Sequence, residues 1–263
     1  FSFKSYFDGI GASGFFLSVP ELLAEDGEPP LMAGFRAGVE RMRYAIAERI
    51  SSRIGGPEGE IAAALVVGVR AGIPEDVNDF LRRSGIYHVI SISGLHMALV
   101  AGTIMGLLRA GFALFPDFAS RFPVKKLAAV LALAGLSGYL FISGAEVAAQ
   151  RSYIMLAVML VAVLFDRAAL TLRNLAISAV IVIAISPHEV VGPSFQMSFA
   201  ATAALVGAYA AWADWRTSHP RTADRNLSVF RRSARFLLAA MVGLAMTSIV
   251  AGGATAIYAA WHF

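Results

Sequence analysis

Six stretches of this chain, residues 86–108, 127–143, 147–165, 174–186, 195–212 and 236–261, contain between them one charged side chain, Arg151. Spanning the hydrocarbon core of a bilayer takes about 20 mainly apolar residues, and a water-soluble domain rarely repeats such runs. The stretch 174–186 is short and needs residues 170–173, or a thin site, to complete a crossing. Composition agrees: 57% of the residues are hydrophobic and 15% are charged, where a soluble domain is roughly 45–50% apolar and about 25% charged. Lipid is therefore the expected solvent for much of the surface. The expected fold is mainly α, a polytopic membrane helix bundle over residues 31–263, because only structures that satisfy their own backbone survive in lipid.

Charge placement supplies an independent reading. Arg109, Arg121, Lys125 and Lys126 follow the first stretch, Arg167 and Arg173 the third, and Arg216, Arg221, Arg225, Arg231, Arg232 and Arg235 the fifth. The connections after the second and fourth hold almost no Lys or Arg, with His188 and Glu189 in the latter. Basic loops face the cytoplasm, so this alternation puts the first set inside and everything before residue 86 outside. The net charge of +4 and pI near 9.6 fit such loops, and they also fit affinity for nucleic acid or anionic lipid.

Ahead of the spans, Met32, Phe35, Val39, Met42, Ile46 and Ile50 recur at helical spacing, with Arg36, Arg41, Arg43, Arg49 and Arg53 largely turned elsewhere. This predicts an amphipathic helix over 31–54 rather than a span. Residues 61–69 are apolar but too short to cross alone. Residues 1–20, with Gly9, Gly11 and Gly14 among aromatics, read as strand and turn material, and acidic residues 21–30, ending in Pro29-Pro30, as a connection. Because the chain opens on Phe1 without a leader, residues 1–30 are expected to be the tail of an upstream domain.

Polar groups inside the apolar stretches are costly and therefore informative. The run Gly-Ile-Tyr-His-Val-Ile-Ser-Ile-Ser-Gly-Leu-His at 85–96 gathers several where a span begins. It reads in three ways: a helix break at Ser93-Gly94 lining a path for a polar solute, buried groups satisfied by neighbouring carbonyls, or a hydrolase with Ser91 or Ser93 as nucleophile and His88 or His96 as base. The last lacks a nucleophile elbow and a group to orient the imidazole. In the third span Glu146, Gln150 and Tyr153 share one face, with Arg151 roughly 100° around from Gln150. Arg151 either pairs with a carboxylate, snorkels, or meets a phosphate. In the fifth span the amide of Gln196 suits an inter-helix clasp or a pore contact better than the hydroxyls of Ser194, Ser198 and Thr202. The small-residue pairs Gly102/Gly106 and Ala134/Gly138, with Gly252, Gly253 and Ala256, read as helix packing.

Other chemistries find no residues to carry them. There is no cysteine and no Gly-rich phosphate loop, and His88, His96, His188, His219 and His262 lack metal-ligand spacing. No cofactor, metal or catalytic role is expected.

The run at 85–96, continued by Met97, resembles the signature of the ComEC competence family. Residues 65–74, Leu-Val-Val-Gly-Val-Arg-Ala-Gly-Ile-Pro, resemble its short apolar segment, and Gln150-Arg151-Ser-Tyr-Ile-Met155 its Arg-bearing span. Gly192-Pro-Ser-Phe-Gln-Met-Ser-Phe-Ala-Ala201 is similar to another of its runs, as is the close from Ala251 to His262-Phe263. Departures stand at Ile257, in place of a proline, and at Ser186-Pro187-His188, where Asp-Pro is common. The resemblance covers about residues 60–263. It implies an inner-membrane channel domain passing single-stranded DNA into the cytoplasm during natural transformation, with residues before 86 in the periplasm. It further implies that residues 1–20 end an OB-like domain and that a nuclease domain lies beyond Phe263.

On that reading Arg82, Arg83 and Arg151 guide phosphates, while Ser93, His96, Glu146, Gln150 and Gln196 line or brace the path. Expected partners are single-stranded DNA, membrane lipid and other competence proteins, including a DNA receptor and a cytoplasmic motor; one chain or a homo-oligomer could enclose the path. The competing readings are a transporter of another polar or anionic solute, an intramembrane serine hydrolase, and a membrane scaffold.

Overall fold

A computed structural model of the chain describes residues 14, 31–87, 90–219 and 229–262. The tail expected at 1–30 lies outside them, Gly14 apart, as does His88. Among the described residues there are ten α-helices and no strand. The chain divides into two compact units, Phe1–Asp166 and Arg167–Phe263.

The first unit contains α1 (Leu31–Ile54), α2 (Gly56–Val67), α3 (Glu75–Arg83), α4 (Gly94–Ala113), α5 (Pro116–Arg121), α6 (Val124–Ile142) and α7 (Val147–Leu164). Helices α1 and α2 form a hairpin turned by Gly55 and Gly56, both at positive φ. The inward face of α1 carries Ile46, Ala47 and Ile50, which pack with Ala63 and Val67 of α2 and Ile142 at the end of α6. A second cluster joins Ala64 of α2 to Ile73, Leu81 of α3 and Ile90. Helix α4 packs on α6 and α7, and α6 packs on α7.

Alanines are prominent among the residues that α6 and α7 bury. Ala128, Ala129 and Ala132 of α6 and Ala149 of α7 are fully buried, while leucines such as Leu99, Leu107 and Leu131 point outward. Apolar side chains gain nothing by leaving lipid for protein, so close backbone approach is what membrane helices use instead. The glycine pairs singled out above are not where this happens: added Cβ atoms at Gly102, Gly106, Gly138, Gly252 and Gly253 meet open space. Helical small residues mark a close contact only when they face a neighbour, and these face none among the described residues of their own unit.

The second unit contains α8 (Leu172–Ile185), a short 3-10 helix (Pro187–Val191), α9 (Pro193–Ser218) and α10 (Val229–His262). Helix α9 packs along α10, and α8 against α9 and the 3-10 segment. Thr171 caps α8 by accepting from the Asn174 amide at 3.2 Å. At 14 residues α8 is about 21 Å long, short of the roughly 30 Å core.

Four helices among the described residues are long and apolar enough to cross a membrane: α4, α6, α7 and the Leu237–His262 part of α10. Helix α9 has the length but not the hydropathy, since Gln196, Ser198, Thr202, Tyr209 and Trp212 interrupt its apolar positions. Hydroxyls inside the helices return their protons to the preceding turn, as Ser137 does to Leu133, Ser178 to Asn174 and Thr202 to Ser198, each at 2.8 Å. Such bonds let a hydroxyl sit in an apolar surrounding without an unsatisfied donor.

Two helix ends in the first unit need glycine. Gly68 ends α2 in the left-handed conformation, and a Cβ there would stand 2.6 Å from the Ser143 carbonyl oxygen just past α6. Gly144, also at positive φ, lies against the guanidinium of Arg43. Replacing Gly68 by alanine combines backbone strain with overlap, and is expected to destabilise by more than about 1 kcal/mol. Gly102→Ala, in open space within α4, is expected to be neutral or stabilising by up to about 1 kcal/mol. Thermal unfolding of both variants in detergent checks the contrast; equal midpoints would remove the constraint at Gly68.

Candidate functional site

The expected first span, 86–108, is not one continuous helix from its start. Residues 86, 87 and 90–93 lie outside α4, which begins at Gly94. Ser93 explains the shift, because it supplies the N-cap: its backbone N–H donates to His96 Nδ1 at 3.2 Å, and its Oγ lies 3.1 Å from the same nitrogen. This is the arrangement of a capping box with histidine at the third helical position, and it spends the Nδ1 lone pair on the helix end. The break thus leaves Ser91 and Ile92 in non-helical chain just ahead of an apolar helix.

Glu146 stands at the equivalent place in α7, as its N-cap residue. One carboxylate oxygen forms an ion pair with Arg70, and the other accepts from Ser91 Oγ at 3.0 Å. Arg70 and Glu146 are each about one-third exposed, at 32% and 31% of the side-chain surface. The pair is thus neither sealed in the packed interior nor fully at the surface. Three segments distant in sequence converge here: the chain after α2, the chain before α4 and the start of α7. The first residues of α4 and α7 also touch, since a Cβ on Gly94 would stand 2.9 Å from Ser152 Oγ.

The junction is fixed from behind by Arg43. Its Nε donates to the Ile142 carbonyl at 3.0 Å, and its terminal nitrogen to the Val67 carbonyl at 3.1 Å. Those are the last residues of α6 and α2, whose final carbonyls have no partner within their own helices. A guanidinium also suits the negative end of each helix dipole. Glu40 completes the group with an ion pair to Arg43 at 2.5 Å. The turn that follows, through Gly144 and Ala145 at positive φ, delivers Glu146 to Arg70.

The remaining candidates are dispersed. Gln150 is exposed and folds back, its Nε2 donating to the Ala145 carbonyl at 2.6 Å. Arg151 is buried within the first turns of α7, at 5% exposure. Tyr153 meets Ser137 of α6 at 2.9 Å. Arg82 and Arg83 are exposed at the end of α3; Arg82 lies over the Tyr87 ring at 5.2 Å and 4.0 Å from Asp79, and neither arginine bonds to the junction. In the second unit Gln196 is a clasp. Its Nε2 donates to the Val190 carbonyl at 3.1 Å, and its Oε1 is 2.9 Å from His262 Nε2, which must be the donor.

Residues 65–263 match the protein family described as Competence protein. The chain belongs to that family. ComE operon protein 3 of Bacillus subtilis is 26% identical over 147 residues, 56% of this chain and 18% of that protein. Competence protein ComA of Neisseria gonorrhoeae is 33% identical over 209 residues, 77% of this chain and 28% of that protein. Uncharacterized protein YcaI of Escherichia coli is 27% identical over 101 residues, 38% of this chain and 13% of that protein. The chain therefore spans less than a third of each of these relatives. No solved structure matches it.

Seen as a Competence-family membrane domain, the chain gathers its motif runs in two places. The runs at 65–74, 85–96 and the start of α7 meet at Arg70, Ser91 and Glu146, and the runs at 192–201 and 251–263 meet at Gln196 and His262. Sequence reasoning had singled out neither Arg70 nor Arg43 as a site residue. Arg70 was visible as a lone charge ending an apolar segment; Arg43 was hidden among the other arginines of α1. A double-mutant cycle on Arg70→Gln and Glu146→Gln is expected to show a coupling of about 1 kcal/mol, between the values for exposed pairs and for buried charged hydrogen bonds. Unfolding midpoints of the four proteins in detergent supply the cycle, and additive effects would show that the contact does not couple.

Proposed function

We propose that this chain is the channel domain of a competence protein and passes one strand of DNA through the bacterial inner membrane into the cytoplasm. The observation that carries the reading is the partly exposed ion pair of Arg70 and Glu146, with Ser91, built at helix ends of an apolar, Competence-family chain. Charged side chains at membrane depth are expensive, and those that persist face bundle interiors or water-filled paths. A strand of any sequence needs a path that neutralises phosphates and does not read bases.

On this proposal Arg82 and Arg83, exposed at the end of α3, meet the strand first, in the periplasm. Ser93, His96, Glu146 and Gln150 border the path at the broken entry to α4 and the start of α7, with Arg151 in the next turn. Gln196 braces the second unit. The cytoplasmic arginines after α9 meet the emerging strand or a motor. A DNA receptor, that motor and further copies of the chain are the partners the proposal calls for, and a nuclease domain would belong to the rest of a longer protein.

One distance favours a second reading. Ser93 Oγ lies 3.1 Å from His96 Nδ1, as a nucleophile and its base would. The same nitrogen accepts the Ser93 backbone N–H, so helix capping accounts for the pair without hydrolysis.

Arg151→Ala, Glu146→Gln and Gln196→Ala in the full-length protein are expected to lower transformation frequency at least tenfold while membrane insertion stays normal. Normal uptake in all three would take these residues out of the path. Loss of labelling by a serine-directed probe on Ser93→Ala would favour hydrolysis, and an uptake defect confined to a small solute would favour a transporter.

A further inference from the structure

An apolar cleft in the second unit has no part in the proposed strand path. It has a volume of about 380 Å³ and runs between α9 and α10, walled by Leu205, Ala208 and Trp212 on one side and by Val242, Met246 and Val250 on the other. Tyr209 and Thr247 also line it, yet they leave little for a polar ligand. Thr247 Oγ1 donates to the Gly243 carbonyl at 2.8 Å, so Tyr209 must donate to Thr247, at 3.0 Å. Both hydroxyl protons are thus spent within the walls. What remains is a hydrocarbon-lined groove beside a helix apolar enough to span the membrane.

Charge sits at one end of it. Leu205, Ala208 and Trp212 recur at helical spacing, and the same stripe reaches Arg216, exposed one turn further along α9. Trp212 and Trp215 mark that level with amphipathic aromatics of the kind that gather at membrane surfaces. Beyond it the sequence holds Arg221 and Arg225, and the first turns of α10 hold Arg231, Arg232 and Arg235, against Asp214 and Asp224. An occupant therefore needs a hydrocarbon tail next to a negatively charged head.

The geometry points to a bound anionic phospholipid, with one acyl chain in the α9–α10 cleft and its phosphate against Arg216. A neutral hydrocarbon would leave the basic end unused. A lipid seated there ties the α9–α10 hairpin to the anionic leaflet and gives the hairpin a side chain-like filler that the protein does not itself supply.

The test uses the full-length protein. Purified in mild detergent, it is expected to retain phospholipid enriched several-fold in anionic species over the membrane it came from, measured by mass spectrometry. A side chain at Gly243 grows into open space lining the cleft, so Gly243→Leu is expected to expel the retained lipid. Arg216→Gln is expected to keep lipid bound but lower the anionic preference about fivefold, the worth of one basic contact near a membrane surface. A photoreactive group at Met246, in cells whose phospholipid carries radiophosphate, is expected to transfer label to the protein. Retained lipid of bulk composition, or retention unchanged in a monodisperse Gly243→Leu, would overturn the assignment. Cross-linking from Met246 to protein in place of lipid would also overturn it, by giving the cleft to another helix.

Discussion

A helix end inside or beside hydrocarbon is the constraint on which the first unit depends. The last carbonyls of a helix have no partner of their own, and lipid offers none. Here one guanidinium answers for two helices: Arg43 donates to Val67 at the end of α2 and to Ile142 at the end of α6. The rest follows from that contact. Two carbonyl ends can share one cation only if they lie close together, and Gly68 and Gly144 are the residues that let them. With α2 and α6 ending side by side, the chain leaving each must turn at once. One of those turns carries Arg70 and the other Glu146.

The ion pair is accordingly a product of helix termination rather than a decoration of a finished bundle. Its third member, Ser91, comes from a segment that stays outside the helix because Ser93 and His96 start α4 only at Gly94. The N-terminal ends of α4 and α7 carry partial positive charge and the C-terminal ends of α2 and α6 carry partial negative charge. All four ends meet near a carboxylate and two arginines. A bundle of uniformly apolar helices would have no reason to assemble so much polarity in one place, and Arg70 and Glu146 are only partly covered there.

Much of this was legible in the residues, and what was not has a physical cause. The long uncharged runs announced α4, α6, α7 and α10, because hydropathy depends on composition and needs no knowledge of neighbours. Of the stripe expected on α1, Ile46 and Ile50 pack inward while Met32, Phe35 and Met42 are exposed, and Arg43, expected to turn elsewhere, reaches the junction. The start of α4 was harder: Ile86, Tyr87, Ile90 and Ile92 extend the apolar pattern upstream, and only the capping chemistry of Ser93 with His96 interrupts it. Packing was harder still. Gly102 and Gly106 have the spacing of a close helix contact yet face open space, while Ala128, Ala129 and Ala132 are fully buried without so clear a signal. The partnership of Arg70 with Glu146 spans 76 residues, and no local pattern can convey a contact of that range.

The same distance explains why the family's short runs identify it only in combination. Taken alone, the Phe-Gln-Met-Ser-Phe run is an apolar helix start with an amide in it, and His262 is one histidine at the end of a long helix. Each becomes specific through the other: Gln196 has both ends of its amide engaged, by Val190 and by His262, and the bond to His262 is lost if either partner changes alone. The runs 65–74 and 85–96 of the first unit are joined in the same way through the carboxylate of Glu146, which stands four residues ahead of the third run and has one oxygen for Arg70 and one for Ser91. Polar side chains in an apolar protein have few partners to choose from, so a bond between two of them constrains both positions at once. An ordered set of individually weak runs is what such pairwise dependence leaves in a sequence.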